Sequence, residues 1–452
     1  MYCKKCGTEQ KNGQKFCPKC GTPYPIDGKA IQEETSEVNL QPESDKELKR
    51  EPDNNKEEET KKKPINEESE NPSSSSEKEK ASHSKNGMNQ STESESKTSQ
   101  QENVRNPQNN TIVSHLNDYL GNEQSANIDW KIIFSDITKK HTVEQAEEIF
   151  IYGTRNTTPK ITDVSKNVPH PWLYFQVLVL FIIAFVLLLV CLTEFHNPIA
   201  LPGVITIGSF AVPLATIVLF LELNAWRNVS LYEIMRTFLI GGCASLVVTM
   251  VLYRFYEVKQ LDYQGAFTVG FIEELGKAVV VYYFLKRLGK ISILSGMLIG
   301  ATVGAGFAAF ESEGYAMYAF LYGALKDFFT GDSALNQLLE TMFYRGLLSP
   351  GGHVAWAALS GAGLAIAAKI SENVSLNLFL HGKFLRLFLL SVVLHGIWDS
   401  PIHINSTNLP VVQIGLVVFV WVVVLILINM GLSEIGKQQT EITKQQLNTE
   451  SK

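Results

Sequence analysis

The sequence predicts an all-α polytopic membrane protein with roughly eight transmembrane helices, preceded by a small zinc ribbon and a disordered linker. Two observations lead to this fold class. Long apolar runs dominate between about residues 171 and 432, whereas the chain before them is polar and charged. Four cysteines also lie in two close pairs within residues 1–24. The mean hydropathy of +0.01 therefore averages two very different parts of the chain.

The cysteine pairs predict a structural zinc site at residues 1–24. Four thiolates in two Cys-x-x-Cys pairs form the tetrahedral ligand set of a closed zinc ribbon, and these ligands are Cys3, Cys6, Cys17 and Cys20. No apolar signal segment is visible at the N-terminus. We therefore expect the ribbon to lie in the cytosol, where thiols stay reduced, and to serve as a structural or docking module for a cytosolic partner.

Two segments connect the ribbon to the apolar part. Residues 25–111 are rich in Glu, Lys, Ser, Asn and Gln, which predicts a disordered linker because little of this composition can be buried. Residues 112–170 recover helical periodicity, with Val143, Ala146 and Ile149 on one face and Thr142 as an N-cap. This pattern predicts a cytosolic juxtamembrane helical segment. Residues 433–452 are predicted to be a cytosolic C-terminal tail.

The apolar runs define the membrane domain at residues 171–432. Each is near the length of about 20 residues that spans a bilayer. They lie near 172–193, 199–221, 234–254, 264–285, 292–311, 351–370, 385–402 and 409–431. The distribution of Lys and Arg between alternate loops places both termini in the cytosol. The stretch 312–350 is predicted to be an outer loop that contains an amphipathic helix.

Ionisable residues inside these runs are the strongest functional signal. A charged residue at the centre of a membrane helix costs about 3 kcal/mol, so such residues are expected to face a protein interior or a wet cavity. The candidates are Glu273 and Glu274 in the fourth run, Glu311 at the end of the fifth, His353 at the start of the sixth, and His395 and Asp399 in the seventh. Their depth predicts that they converge in the outer half of the membrane.

The chemistry indicated is the activation of water. A desolvated glutamate is a suitable general base, and histidines can stabilise an oxyanion. A second mechanism stays open, in which His353, His395 and Glu311 bind zinc and Glu273 or Glu274 is the base. The formal net charge of −6 comes without a basic patch, so no nucleic-acid partner is expected.

These residues resemble the motifs of the PrsW family of intramembrane proteases, which is distantly similar to the type II CAAX-prenyl proteases. The motifs are Glu-Glu-x-x-Lys from Glu273 to Lys277, Phe-x-x-x-Glu ending at Glu311, and His-x-x-x-Asp from His395 to Asp399. The resemblance spans roughly residues 170–431. It implies that the glutamates and His395 are essential, that Asp399 assists, and that His353 belongs to a further motif.

The resemblance also implies the setting of the protein. It predicts a multi-pass protein of a bacterial plasma membrane that cuts a single-span membrane protein, such as an anti-sigma factor, near the extracytoplasmic face. It leaves the catalytic metal open, because the family is classed as metalloproteases whereas the related prenyl proteases use a glutamate-activated water. The sequence favours the metal-free mechanism, because it contains no compact His-Glu-x-x-His motif.

Two other functions would explain the same buried carboxylates. In a transporter they would relay protons or ions, although the two halves of the domain show no repeated helix pattern. In a non-catalytic membrane sensor they would only hold the helices together.

Overall fold

The computed structural model describes residues 112–121, 130–165, 167–289, 291–330, 333–402 and 410–450. The predicted zinc ribbon at 1–24 and the linker at 25–111 lie outside these ranges. Within them the secondary structure is helical throughout, with no strand. The all-α prediction is therefore confirmed for the described part of the chain.

The described α-helices, in chain order, are α1 (Ile112–Leu120), α2 (Trp130–Ile133), α3 (Val143–Ile151), α4 (Leu173–Thr193), α5 (Ala200–Leu223), α6 (Leu231–Arg236), α7 (Gly242–Tyr253), α8 (Tyr263–Leu288), α9 (Ile293–Thr330), α10 (Ala334–Leu348), α11 (His353–Ile370), α12 (Gly382–Asp399) and α13 (Val411–Glu450). A π-helical segment, Thr237–Gly241, joins α6 to α7.

The juxtamembrane segment contains the predicted helix, α3, and it begins at the predicted N-cap. The Thr142 hydroxyl accepts a hydrogen bond from the backbone of Gln145 at 3.4 Å, and the Gln145 side chain accepts one from the backbone of Thr142 at 3.0 Å. This reciprocal capping box satisfies backbone donors that the first turn leaves free. Earlier in the segment, α1 lies against the start of α12, where Arg386 donates to the backbone oxygen of Tyr119 at 3.0 Å.

Among the described residues, six helical segments are long and apolar enough to cross a membrane. They are Leu173–Thr193, Ala200–Leu223, Leu231–Tyr253, Ile293–Lys326, Ala334–Ile370 and Val411–Thr449. The remaining two predicted spans form α8 and α12, which have the required length but carry charged residues in their interiors or at their ends. Composition alone therefore supports six spans, and the other two helices contain most of the predicted site.

The structure contradicts the predicted loop at 312–350. The fifth apolar run does not end at Glu311, because α9 continues to Thr330 and α10 follows almost at once. No proline interrupts α9, and packing favours its extension. Ala316 is fully buried with Leu338 of α10 and Ile205 of α5 in a separate apolar cluster.

The membrane domain is organised around α11, which is rich in Ala and Gly and buried along most of its length. It packs most extensively against α9 and then against α12. Small residues at these contacts let the helix axes approach closely. By contrast, α4 is apolar on every face and lies at the periphery, with Leu173 its only buried residue. A helix of this composition is expected to face lipid.

Candidate active site between α8, α9, α11 and α12

The helix α8 contributes three ionisable residues, which lie within one and a half turns of each other, to the interior. Its N-terminus is capped by Asp262, whose side chain accepts from the backbone of Gly265 at 2.8 Å, and it ends at Gly289 with a φ of 78°. Midway along it, Glu273 is 7% exposed, and Glu274 and Lys277 are fully buried. Charged groups at this depth require polar partners from neighbouring helices.

Two glycines allow those neighbours to approach. A Cβ at Gly270 of α8 would lie 3.0 Å from the backbone nitrogen of Gly396 and 3.2 Å from Cβ of His395. A Cβ at Gly304 of α9 would lie 2.2 Å from the backbone oxygen of His353. Side chains at either position would therefore push α12 or α11 away, and with it a candidate histidine.

Glu274 is the centre of the polar network. Its Oε1 atom lies 2.7 Å from the Lys277 ammonium and accepts from Nδ1 of His395 at 3.0 Å. Its other oxygen is buried without a hydrogen-bond partner. Because Nδ1–H donates to Glu274, Nε2 carries the lone pair in the neutral ring of His395.

Glu273 has one oxygen held and one free. Oε1 accepts from the hydroxyl of Tyr253 at 3.2 Å. Oε2 is buried without a hydrogen-bond partner and lies 3.7 Å from Nε2 of His395 and 3.9 Å from the Lys277 ammonium. These two separations are beyond ordinary hydrogen-bond length, so a further polar group between these atoms would satisfy the free oxygen.

The second histidine is held by a different carboxylate. Nε2 of His353 donates to Oε2 of Glu311 at 3.0 Å, and its Nδ1 accepts from Lys277 at 2.8 Å. Glu311 also forms an ion pair with Arg345 of α10, whose Nε donates to Ser312 at 2.9 Å. Arg345 therefore connects α10 to the site.

Asp399 lies at the more accessible edge of the network. Its Oδ2 atom is 3.3 Å from Nε2 of His395, and its side chain is 25% exposed. Aromatic rings pack against the two histidines on the buried side of the network. Trp356 stacks on His395 with centroids 4.5 Å apart, and Phe307 lies 5.0 Å from His353. The rings limit the access of water to the buried side of the network.

The structure brings the six predicted residues into this one network. Within α8, Lys277 lies closer to Glu274 at 2.7 Å than to Glu273 at 3.9 Å. Sequence reasoning missed Tyr253 and Arg345, which it treated as a span residue and a loop charge. Only their proximity in the folded chain reveals them, since neither belongs to a motif.

Three of these residues could bind a metal ion. Ligand atoms of Glu273, His353 and His395 all lie within 4.8 Å of one another. Two imidazoles and one carboxylate form a known catalytic zinc ligand set, and carboxylates hold the second nitrogen of each histidine, as is usual around metal sites. The residues fit a divalent cation, with Glu273 in the place that the sequence assigned to Glu311.

An apolar groove opens on the surface beside the site. It lies between α7 and α8, has a volume of about 760 Å³, and is lined mainly by aromatic and aliphatic side chains, including Leu252, Tyr256, Phe267, Phe271, Ile272 and Leu275. The last two lining residues flank the glutamates in sequence.

One of three comparisons with known proteins finds a similarity. Neither the curated proteins nor the solved structures contain a match to the chain. A protein-family model matches residues 230–428, a stretch that begins at the N-cap of α6 and contains every residue of the network. Because α4 and α5 lie outside it, the match is narrower than the predicted 170–431 and covers less than half of the chain. Over residues 230–428, the chain is thus similar to the family described as PrsW family intramembrane metalloprotease.

Proposed function

We propose that this chain is an intramembrane endopeptidase that cleaves a membrane-anchored, single-span protein near the extracytoplasmic face. The observation that carries the proposal is the free, buried Oε2 atom of Glu273, located 3.7 Å from Nε2 of His395. An unpaired carboxylate oxygen beside an imidazole nitrogen is suited to hold and deprotonate a water molecule. The similarity to an intramembrane protease family supports a peptide bond as the target.

Each residue then has a distinct role. Glu273 is the general base, and Tyr253 fixes its other oxygen so that Oε2 faces His395. Glu274 fixes the orientation and tautomer of His395 and balances the charge of Lys277. The contacts with His395 support this division, because Glu274 meets Nδ1 at 3.0 Å whereas Oε2 of Glu273 lies 3.7 Å from Nε2.

His395 and Asp399 stabilise the charge that develops during the reaction. Nε2 of His395 lies beside both Glu273 and Asp399, so it can exchange a proton with either group or donate to an oxyanion. Among the network residues on α8 and α12, Asp399 has the most exposed side chain, which suits a group that contacts the substrate. His353, held by Glu311, supplies a second imidazole on the other side of Lys277.

The same residues accommodate a metal-dependent mechanism. Glu273, His353 and His395 would hold a divalent cation, which would activate a bound water at neutral pH and polarise the scissile carbonyl. The role of Glu274 in orienting His395 is the same with or without the cation. The metal-free mechanism that the sequence favoured and the metal mechanism therefore differ in one measurable property, which is their sensitivity to a chelator.

The surroundings support access from the bilayer. The groove between α7 and α8 is apolar and reaches the segment of α8 that carries the glutamates. An apolar transmembrane segment of a substrate would enter there, and an anti-sigma factor is one protein of that kind. In this proposal both termini are cytosolic, the domain spans 171–432 in a bacterial plasma membrane, and the zinc ribbon docks a cytosolic partner.

The test is cleavage of single-span membrane proteins by the full chain in liposomes. Glu273→Gln and His395→Ala are each expected to abolish cleavage while the protein remains folded, because they remove the base and its imidazole partner. Glu313→Gln is the matched control, since Glu313 lies in α9 and accepts from Thr206 at 2.9 Å outside the network. Loss of cleavage on addition of a chelator selects the metal mechanism when a Cys3→Ser, Cys6→Ser variant, which cannot form the proposed ribbon site, loses cleavage in the same way.

Two outcomes would contradict the proposal. Cleavage that survives Glu273→Gln would exclude this residue as the base. A well-folded wild-type chain that cuts no substrate in a broad panel, yet carries protons or ions across the liposome membrane, would indicate the transporter function.

A further inference from the structure

Lys277 has an unusual position for a lysine side chain. It is fully buried, and its ammonium lies 2.7 Å from Oε1 of Glu274 and 2.8 Å from Nδ1 of His353. It also lies 4.4 Å from the ring centroid of Phe307, which provides a cation–π contact. These contacts make it the cation at the centre of the network, facing α9 and α11 as well as its own helix.

The same ammonium touches two of the three candidate metal ligands. It donates a hydrogen bond to Nδ1 of His353. This nitrogen is the one available to bind a metal, because Nε2 of the same ring is held by Glu311. The ammonium is also 3.9 Å from Oε2 of Glu273, the free oxygen of the carboxylate ligand. A divalent cation bound by these atoms would therefore lie next to a second positive charge at a buried site, where the repulsion between the two is weakly screened.

We infer that Lys277 is the resident cation of the site and competes with a divalent metal ion for it. Binding of the metal requires the ammonium to leave Nδ1 of His353 while it keeps its contact with Glu274. This inference rests on the proposed function, because it concerns the same site. It predicts that Lys277 weakens metal binding, which is the opposite of what a ligand or a purely structural lysine would do.

The competition is measured by equilibrium titration of metal-stripped full chain in detergent micelles with Zn²⁺, and with Co²⁺ for its absorption spectrum. Lys277→Met keeps much of the side-chain volume and removes the charge, so it is expected to tighten binding at this site by at least about tenfold. Lys286→Met, at an exposed position on the same helix, is the matched control and is expected to bind as the wild type does.

The ribbon cysteines would contribute a separate binding signal. The membrane site is identified as the part of the titration that Glu273→Gln removes, and its Co²⁺ spectrum is expected to lack the intense thiolate bands of a cysteine site. Lys277→Gln is prepared in parallel, because its amide can still donate to Glu274 if the methionine variant does not fold.

The inference fails if both neutral variants bind metal at this site as weakly as the wild type or more weakly. It also fails if neither variant binds any metal that Glu273→Gln removes. Cleavage is recorded separately with the wild type. Glu273-dependent cleavage together with unchanged metal affinity in the neutral variants refutes the competition alone, whereas absence of cleavage refutes the proposed function and leaves the affinity comparison valid.

Discussion

Replacement of Glu274 by glutamine tests whether this residue holds the network together. The substitution preserves the shape of the side chain and removes its charge. Lys277 then loses its nearest carboxylate, which lies 2.7 Å away in the wild type. Both side chains are fully buried, so water cannot replace the lost partner.

The size of the effect follows from the remaining contacts. Removal of one partner from a buried ion pair costs about 3–5 kcal/mol. We expect the lower end of this range, because Lys277 keeps Glu273 at 3.9 Å and His353 at 2.8 Å, and the glutamine carbonyl can still accept from His395. A loss of about 3 kcal/mol corresponds to roughly a hundredfold change in the unfolding equilibrium constant.

The assay is reversible denaturation of the full chain in mixed micelles, followed by circular dichroism. Glu313→Gln is the control and should change the free energy of unfolding by no more than about 1 kcal/mol, since it removes no buried charge. Adding Lys277→Met to Glu274→Gln eliminates the uncompensated ammonium. The double variant should therefore be more stable than Glu274→Gln alone, with a coupling free energy of about 2 kcal/mol.

The reasoning is refuted by either of two results. One is a loss of less than about 1 kcal/mol in the free energy of unfolding for Glu274→Gln, which would mean that Glu274 is not the main partner of the buried Lys277. The other is a double variant no more stable than the single variant, which would mean that the destabilisation does not come from an unpaired charge.

Three further predictions concern residues around the network. Tyr253→Phe removes the hydrogen bond that orients the proposed base, so cleavage should slow about tenfold. The control is Tyr318→Phe, at an exposed position of α9 outside the groove and the network, which should leave the rate unchanged. Equal rates in the two variants would exclude the orienting role. Arg345→Met removes a partly exposed partner of Glu311, and calorimetry should show a loss of about 1 kcal/mol in the free energy of unfolding. Arg345→Lys should restore part of this loss. No loss in Arg345→Met would mean that the pair adds nothing to stability. Glu222→Gln weakens the acceptor of three backbone N–H groups at the start of α4, so the free energy of unfolding should fall by about 1 kcal/mol. Cleavage per folded molecule should be unchanged. Reduced cleavage would instead place Glu222 in the site.

Local sequence patterns located most of the helices. The apolar runs near 172–193 and 199–221 correspond closely to α4 and α5, because a segment that must satisfy its backbone hydrogen bonds in lipid forms a helix whatever its neighbours are. Thr142 likewise identified the start of α3, since a capping box involves only residues close in sequence. The end of α9 could not be predicted, because Ala316 is buried by α5 and α10, which are distant in the chain.

The ionisable residues of the candidate site were predictable for a different reason. Carboxylates and histidines are costly in apolar segments, so Glu273, Glu274 and His395 are conspicuous in the sequence without any knowledge of the fold. Their conspicuousness identifies the members of the site. It does not reveal their partners, since adjacent residues on a helix point about 100° apart and meet different neighbours.

The sequence by itself determined that the part of the chain described by the structure is helical, where the apolar segments lie, and which ionisable residues occupy them. Tertiary structure alone decided that Glu274 binds Lys277 and His395 while one oxygen of Glu273 remains free. It also decided that Tyr253 and Arg345 belong to the network. The physical reason is distance along the chain. Periodicity and capping act over a few residues, whereas these contacts join helices whose relative positions depend on the packing of the whole domain.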